Sequence, residues 1–284
     1  MKKILVIPNT LKDLDLAVTD RVIDKLLKFD MVPMISNEFS GVFGNKAECF
    51  DEYPRDAELI LVIGGDGSVI EASRIAITLD VPLLGVNLGN LGYLSEVEID
   101  ELDILQRLTT GEYFVAEKML LETEIFKKGV SISAQRLAVN DIIVSHSEYL
   151  GIADICLENS MKEAIKYRAD AVIFATPAGS TAYALSSGGP IISHNLESIT
   201  ATPVSPHSFF NRSIVYSAEE ELKVSNIGKM PLKVSIDGRL FDSLENGDYC
   251  RIRKSDKRFK MLTFSENNMF ETLFNKLKIL SNIE

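Results

Sequence analysis

The chain has 284 residues, 46% of them apolar and 25% charged, with a net charge of −11. That composition fits an ordinary globular protein of two modest domains or one large one. The acidic balance argues against a general nucleic-acid binder, but leaves room for an anionic small ligand in a local pocket. The opening Met-Lys-Lys-Ile-Leu-Val-Ile-Pro has an apolar run that stops at Pro8, too short for a signal-peptide core, and no stretch approaches a membrane span. Cys49, Cys156 and Cys250 are odd in number and far apart, which fits a reducing, cytoplasmic setting without a disulfide frame. Neither they nor His146, His194 and His207 fall at metal-ligand spacing, so no protein-held metal is expected.

From the amino end, residues 2–8 are almost all apolar and read as a strand buried on both faces. Over 13–29, Leu16, Val18, Val22, Ile23, Leu26 and Leu27 recur at helical spacing; 31–35 is a short second strand. Residues 37–56, with Gly41, Gly44 and Pro54, read as loop and short helix. A strand over 57–63 is followed by a helix over 68–79, and a strand over 82–87 runs into Gly89-Asn90-Leu91-Gly92, which breaks the pattern. Strands alternating with helices imply a parallel sheet with helices on its faces, and ligands beyond the carboxyl ends of the strands.

The texture changes near Gly111. Residues 118–126, 130–138, 141–145, 153–157, 164–169 and 171–175 are strand-like, with few helices between. After a glycine-rich, helix-compatible stretch at 178–189, strands resume at 213–215, 222–224, 232–236 and 249–252. Asp237-Gly238 and Asn246-Gly247 are hairpin-type turns. Over 268–280, Met269, Phe270, Leu273, Phe274, Leu277 and Leu280 share one helical face. The expected fold is α/β. A parallel α/β domain over 1–112 precedes a mostly β domain over 113–266, and a C-terminal helix over 267–284 packs back on the first.

Gly64-Gly65-Asp66-Gly67-Ser68 ends a buried strand and opens a helix. It matches neither GxxxxGK[ST] nor GxGxxG. Glycines still let backbone N–H groups approach a phosphate, and a helix N-terminus favours negative charge. An aspartate in that setting can take a hydroxyl proton or hold magnesium beside phosphate oxygens; read alone, it is equally a turn residue. A second strand, 171–175, runs into Thr176-Pro177-Ala178-Gly179-Ser180-Thr181-Ala182-Tyr183, where hydroxyls and amides gather around a tyrosine. Such a surface suits ribose, phosphate and a flat base; taken alone it is a turn with a core tyrosine. Asn140-Asp141 interrupts an apolar run with groups that pair with a base edge and with ribose hydroxyls, or that make a β-turn. Arg168 and Asp170, two apart, would share one face of a strand.

These segments, with Gly85-Val86-Asn87-Leu88-Gly89-Asn90-Leu91-Gly92-Tyr93-Leu94, Ser205-Pro206-His207-Ser208 and Ile236-Asp237-Gly238-Arg239, resemble the bacterial NAD kinases in order and spacing over nearly the whole chain. The GGDG motif is shared with lipid kinases and phosphofructokinases; the full set in order is specific. The resemblance implies transfer of a phosphoryl group from ATP, or from polyphosphate in some members, to the 2′-hydroxyl of the adenosine ribose of NAD. On that reading Asp66 is the base and also meets the metal-bound donor. Gly64, Gly65, Gly67 and Ser68 shape the phosphate loop. NAD is held by Asp66, Gly67, Asn140, Asp141, Thr181, Ala182, Tyr183, Ala184, Leu185 and Ser186, with Tyr183 against adenine. Asp170 with Arg168 reaches NAD from a neighbouring subunit, so the resemblance also implies a homodimer or homotetramer. Magnesium arrives with the nucleotide.

Ser68 stands where the family more usually has threonine, which keeps the hydroxyl. Ala178 stands where threonine or serine is usual, so one substrate hydrogen bond, worth about 0.5–1.5 kcal/mol, is expected to be missing. Two rivals stand beside this reading. A lipid kinase needs an acyl cleft, and a phosphofructokinase-type enzyme opens with a glycine-rich loop where residues 4–10 have no glycine. A non-catalytic NAD-binding regulator would keep the fold and have no need of Asp66.

Overall fold

A computed structural model describes residues 1–89, 92, 94–132, 135–147, 151–207 and 210–265. The helix expected over 268–280, with its return to the first domain, lies outside the described residues. The chain divides into two compact units, one of 1–117 with 259–284 and one of 118–258.

In the first unit, β1 (Lys3–Pro8) is followed by α1 (Ala17–Lys28), β2 (Val32–Ser36), α2 (Ser40–Phe43) and β3 (Glu48–Phe50). Then come β4 (Leu59–Gly64), α3 (Asp66–Leu79), β5 (Leu83–Asn87), β6 (Val97–Glu98) and α4 (Arg107–Thr110). The principal strands pair in parallel in the order β5-β4-β1-β2-β3. All six residues of β4 are buried, which is why that segment is uniformly apolar rather than alternating. α1 turns Val22, Ile23 and Leu26 inward. It starts later than its periodicity suggests because the buried Asp13 carboxylate accepts the N–H groups of Val18 and Thr19 at 3.1 and 2.8 Å, ending the loop there. Residues 37–56 hold a 3-10 turn, α2 and β3. A core of Ile4, Leu61, Ile63, Leu84 and Val86 fixes the positions of the strand ends.

The second unit is built from β7 (Phe114–Lys127), β8 (Val130–Ser131), β9 (Arg136–Ala138), β10 (Asp141–His146), β11 (Ala153–Glu158), β12 (Ala164–Ala169) and β13 (Ala171–Ala175). It continues through α5 (Tyr183–Ser186), β14 (Ser198–Val204), β15 (Ile214–Ser217), β16 (Leu222–Asn226), β17 (Leu232–Ile236), β18 (Arg239–Leu244) and β19 (Tyr249–Thr263). Both β7 and β19 have one end in the first unit. β15-β14-β13-β10-β17-β18 form one antiparallel sheet, and β12-β11-β16-β19 pair antiparallel in the other. Ile142, Val172 and Phe174 of the first pack with Ile155, Tyr167, Val224 and Ile252 of the second, as in a sandwich.

Several readings change, the first being 37–56, expected as loop and short helix, which also holds the strand β3. The strand expected over 130–138 is two short strands, β8 and β9. β14 was not expected, because Pro203 and three polar residues obscure a segment with six of its seven residues buried. β19 runs to Thr263 instead of stopping at Ile252, through a charged stretch in which Ser255, Phe259 and Met261 still turn inward.

Tyr167 is 1% exposed, and among the described residues its hydroxyl has no hydrogen-bond partner. Tyr167→Phe should therefore leave the unfolding free energy unchanged or raise it, whereas Tyr167→Ala should lower it by about 3–5 kcal/mol in denaturant titrations.

Candidate active site

The glycine loop lies at the carboxyl end of β4, where a parallel sheet presents ligands. The helix starts two residues earlier in the motif than its apolar pattern shows. Gly65 is the N-cap and Asp66 is the first residue of α3, so its carboxylate stands in the positive end of the helix dipole. The first intrahelical bonds run from the Ser68 and Val69 amides to Gly65 O, at 2.9 and 3.2 Å. None of the motif's glycines has a positive φ. Gly64 is needed for space, because a Cβ there would collide with the Ser68 side chain, while a Cβ at Gly67 would meet nothing within 4 Å. Ser68 Oγ accepts a hydrogen bond from Asn9 Nδ2 at 2.7 Å, which ties the loop after β1 to the loop after β4.

Asp66 is held from the side. Its Oδ1 accepts the Leu94 N–H at 2.9 Å. A Cβ at Gly92 would run into that same oxygen and into Ser95 Oγ, so residue 92 stands beside the carboxylate only because it is glycine. Lys12 was missed in the sequence. Its Nζ overhangs the loop, 3.4 Å from where a Cβ of Gly65 would stand. Nothing in an isolated lysine of a loop marks it; only the neighbouring ends of β1 and β4 bring it there.

In the second unit, β10 and β13 pair with Asp141 opposite Ala175, so Asn140-Asp141 and the Thr176 loop are neighbours. Thr176 Oγ1 donates to Val139 O at 2.7 Å and accepts the Gly179 N–H at 2.9 Å, and the Thr176 N–H donates to Asn140 O at 2.9 Å. Gly179 lies so close to Asn140 that any Cβ would overlap its carbonyl. From the other side, Asp237 Oδ2 accepts the Val139 N–H at 2.9 Å and Oδ1 accepts those of Asn140 and Asp141 at 2.8 and 3.2 Å. Asp237, read in the sequence as a hairpin residue, thus positions the pair as well. Asp141 is 4% exposed, and burial first, the Asp237 carboxylate second, push its carboxyl up to about 7.

The remaining candidates follow the loop. Thr181 is buried with its Oγ1 donating to Ala178 O at 3.1 Å, Ala184 is fully buried, and Ala182, Leu185 and Ser186 line the same turn-and-helix. Tyr183 is 47% exposed, so it is not a core tyrosine and its ring is presented outward. Arg168 and Asp170 do not share a strand face. Arg168 is on the edge strand β12, 3.9 Å from Asp154 Oδ1, and Asp170 sits in the one-residue bend before β13. Among the described residues no group of three His, Cys, Asp or Glu side chains is arranged to hold a metal ion, and no helix is long and apolar enough to cross a membrane.

Comparison with known proteins gives a consistent picture. Residues 13–113 match the ATP-NAD kinase N-terminal domain and residues 126–264 the ATP-NAD kinase C-terminal domain. The chain is 34% identical over 286 residues to the NAD kinase of a Thermoanaerobacter species, covering 98% of this chain and 99% of that one. It is 34% identical over 280 residues to the NAD kinase of Geobacter metallireducens, with the same coverage. Among solved structures, yeast NADH kinase complexed with NADH superposes with a TM-score of 0.85 at 20% identity, over 98% of this chain and 88% of that one. An NAD kinase from Archaeoglobus fulgidus in complex with ATP gives 0.71 at 24% identity, over 97% and 98%. At these identities the structures speak for the fold.

The buried Asp141 makes a stability prediction. Its folded-state pKa lies above the ordinary 3.8, so the native chain holds a proton there that the unfolded chain has released. The contribution is complete below the unfolded value and is lost as pH rises toward about 7. Wild type should therefore lose stability relative to Asp141→Asn across that window, by an amount on the order of a few kcal/mol. Paired denaturant titrations at several pH values measure it, and parallel curves would refute it.

Proposed function

The chain belongs to the NAD kinase family, and from that premise we propose how its residues do the family's work. It phosphorylates NAD to NADP with ATP as donor. The single observation that carries the residue assignment is the Asp66 carboxylate, fixed by the Leu94 amide at the carboxyl end of a buried parallel strand. The oxygen of the adenosine 2′-hydroxyl attacks the γ-phosphorus of Mg-ATP as the bond to the β,γ-bridging oxygen breaks. ADP leaves, and the hydroxyl proton passes to Asp66. The transition state is loose and charge-rich, so placement and neutralisation carry most of the catalysis. The amides of the Gly64–Ser68 turn, the amino end of α3 and the Lys12 ammonium supply positive potential for the transferred group. Magnesium is part of the nucleotide substrate and shields its phosphates when bound.

NAD is recognised by Asn140 and Asp141, whose backbone is pinned by Thr176 and Asp237. Tyr183, exposed at the start of α5, offers its ring face to adenine, and Thr181, Ala182, Ala184, Leu185 and Ser186 line the same turn-and-helix; Gly67 serves NAD from the phosphate loop. An ionised Asp141 accepts from ribose hydroxyls, so NAD binding draws its proton off. Arg168, exposed on an edge strand, and Asp170 serve NAD from a neighbouring subunit in a homodimer or homotetramer. Cys49, Cys156 and Cys250 are all unpaired, which supports a reducing, cytoplasmic site of action.

Three outcomes are expected in assays of NADP formation from NAD and Mg-ATP. Asp66→Asn should still bind NAD while losing about 10²–10⁴ in turnover. An inactive wild type that still binds NAD would return the chain to the regulator reading. Gly92→Ala keeps the carboxylate but displaces it, and should lower kcat about a hundredfold with little change in KM for NAD. The KM for NAD should rise as pH falls below about 7, and Asp141→Asn should flatten that profile.

A further inference from the structure

The carboxyl edge of the first unit's sheet carries a second concavity that neither the phosphate loop nor the NAD-binding residues use. A cavity of about 270 Å³ opens where β1, β2 and β3 end, between Thr10, Ser36, Glu38, Phe50, Asp51 and Tyr53. This is somewhat smaller than the roughly 300–1,000 Å³ of a site that encloses a whole drug-sized ligand, and suits one flat heterocycle. A larger cavity, about 510 Å³ beside Met1, Lys2 and Met31, lies at the opposite, amino edge of the sheet. Ligands of open α/β sheets bind at the carboxyl edge.

We propose that the cavity at the ends of β1, β2 and β3 seats the nucleobase of the phosphate donor, so that the enzyme reads ATP as a nucleotide and not as a bare phosphate chain. The inference rests on the kinase reading and adds the donor's base to it. Three observations support it. The first is the lining: the rings of Phe50 and Tyr53 stand 5.7 Å apart at 45°, and Tyr53 is half exposed, leaving an aromatic face for a base to stack on.

The second is charge. Glu38 and Asp51 line the cavity, with Asp51 Oδ1 accepting Asn37 Nδ2 at 3.0 Å. Two carboxylates repel phosphate but accept hydrogen bonds from an exocyclic amine. A cationic group of this edge, Lys12 Nζ, lies instead over Gly65. The potential thus orients a donor with its phosphates over α3 and its base over β3.

The third is reach. In the order β4-β1-β2-β3 the glycine loop and the cavity are two to three strands apart, about 10–15 Å at ordinary strand spacing. That span suits an extended nucleoside triphosphate. The loop after β1 bridges it, since Asn9 bonds Ser68 on one side and Thr10 lines the cavity on the other.

The test is steady-state kinetics with Mg-ATP varied at saturating NAD, and NAD varied at saturating Mg-ATP, for wild type, Phe50→Ala, Tyr53→Ala and Tyr53→Phe. Losing a base–aromatic stack should raise the KM for ATP about tenfold or more in both alanine variants. Their KM for NAD should stay within about twofold, and Tyr53→Phe, which keeps the ring, should behave as wild type. An unchanged KM for ATP in both alanine variants overturns the proposal, as does an equal rise in both constants, which would mean general distortion. If wild type makes no NADP, the kinase reading fails instead. Calorimetric titration of Mg-ATP into the same proteins then decides the cavity, with tenfold weaker binding in the alanine variants expected and equal binding contradicting it.

Discussion

The Leu94 amide donates to Asp66 Oδ1 at 2.9 Å, and the collision that any Cβ at Gly92 would make with that oxygen leaves the carboxylate one seat. The rest of the first unit serves this placement. β4 is buried along its whole length, so its end is fixed by packing on both faces. The chain leaves that strand through Gly64, whose missing Cβ makes room for Ser68, and enters α3 with the acid already in its first turn. A negative side chain there is favoured by the helix dipole, so the geometry that would suit an incoming phosphate also steadies the carboxylate proposed as the base.

The second unit solves a related problem at a cost. Asn140 and Asp141 stand at the start of a central strand, where a turn would otherwise be free to move. Asp237 accepts three consecutive amides around them, and Thr176 with Gly179 closes the other side. Placing two carboxylates so near each other, one of them buried, destabilises the ionised form of Asp141. Such a strained titration is a feature of binding sites more often than of plain turns.

The sequence was most legible where burial is uniform. β1, β4 and β5 read as apolar runs ending in small or polar residues, and the parallel order of an α/β layer followed. Asp66, Asn140, Asp141 and the loop from Thr176 stood out because each breaks an apolar strand with chemistry-bearing groups. What stayed hidden depends on tertiary placement. Lys12 acquires meaning only because β1 lies beside β4, and Asp237 only because β17 lies beside β10. β14 was obscured by Pro203 and its threonines, and the reach of β19 by charges on its open face. Arg168 and Asp170 were assigned to one strand face from their spacing of two, although the strand-like segments 164–169 and 171–175 already part at residue 170.

The most direct test of the account is a crystal structure of the chain with NAD and a non-hydrolysable ATP analogue. The account predicts the 2′-oxygen of the adenosine ribose within about 2.6–3.2 Å of the Asp66 carboxylate, facing the terminal phosphorus. A 2′-hydroxyl turned away from Asp66, with another side chain in hydrogen-bond reach of it, would contradict that assignment and leave the carboxylate a structural group of the loop.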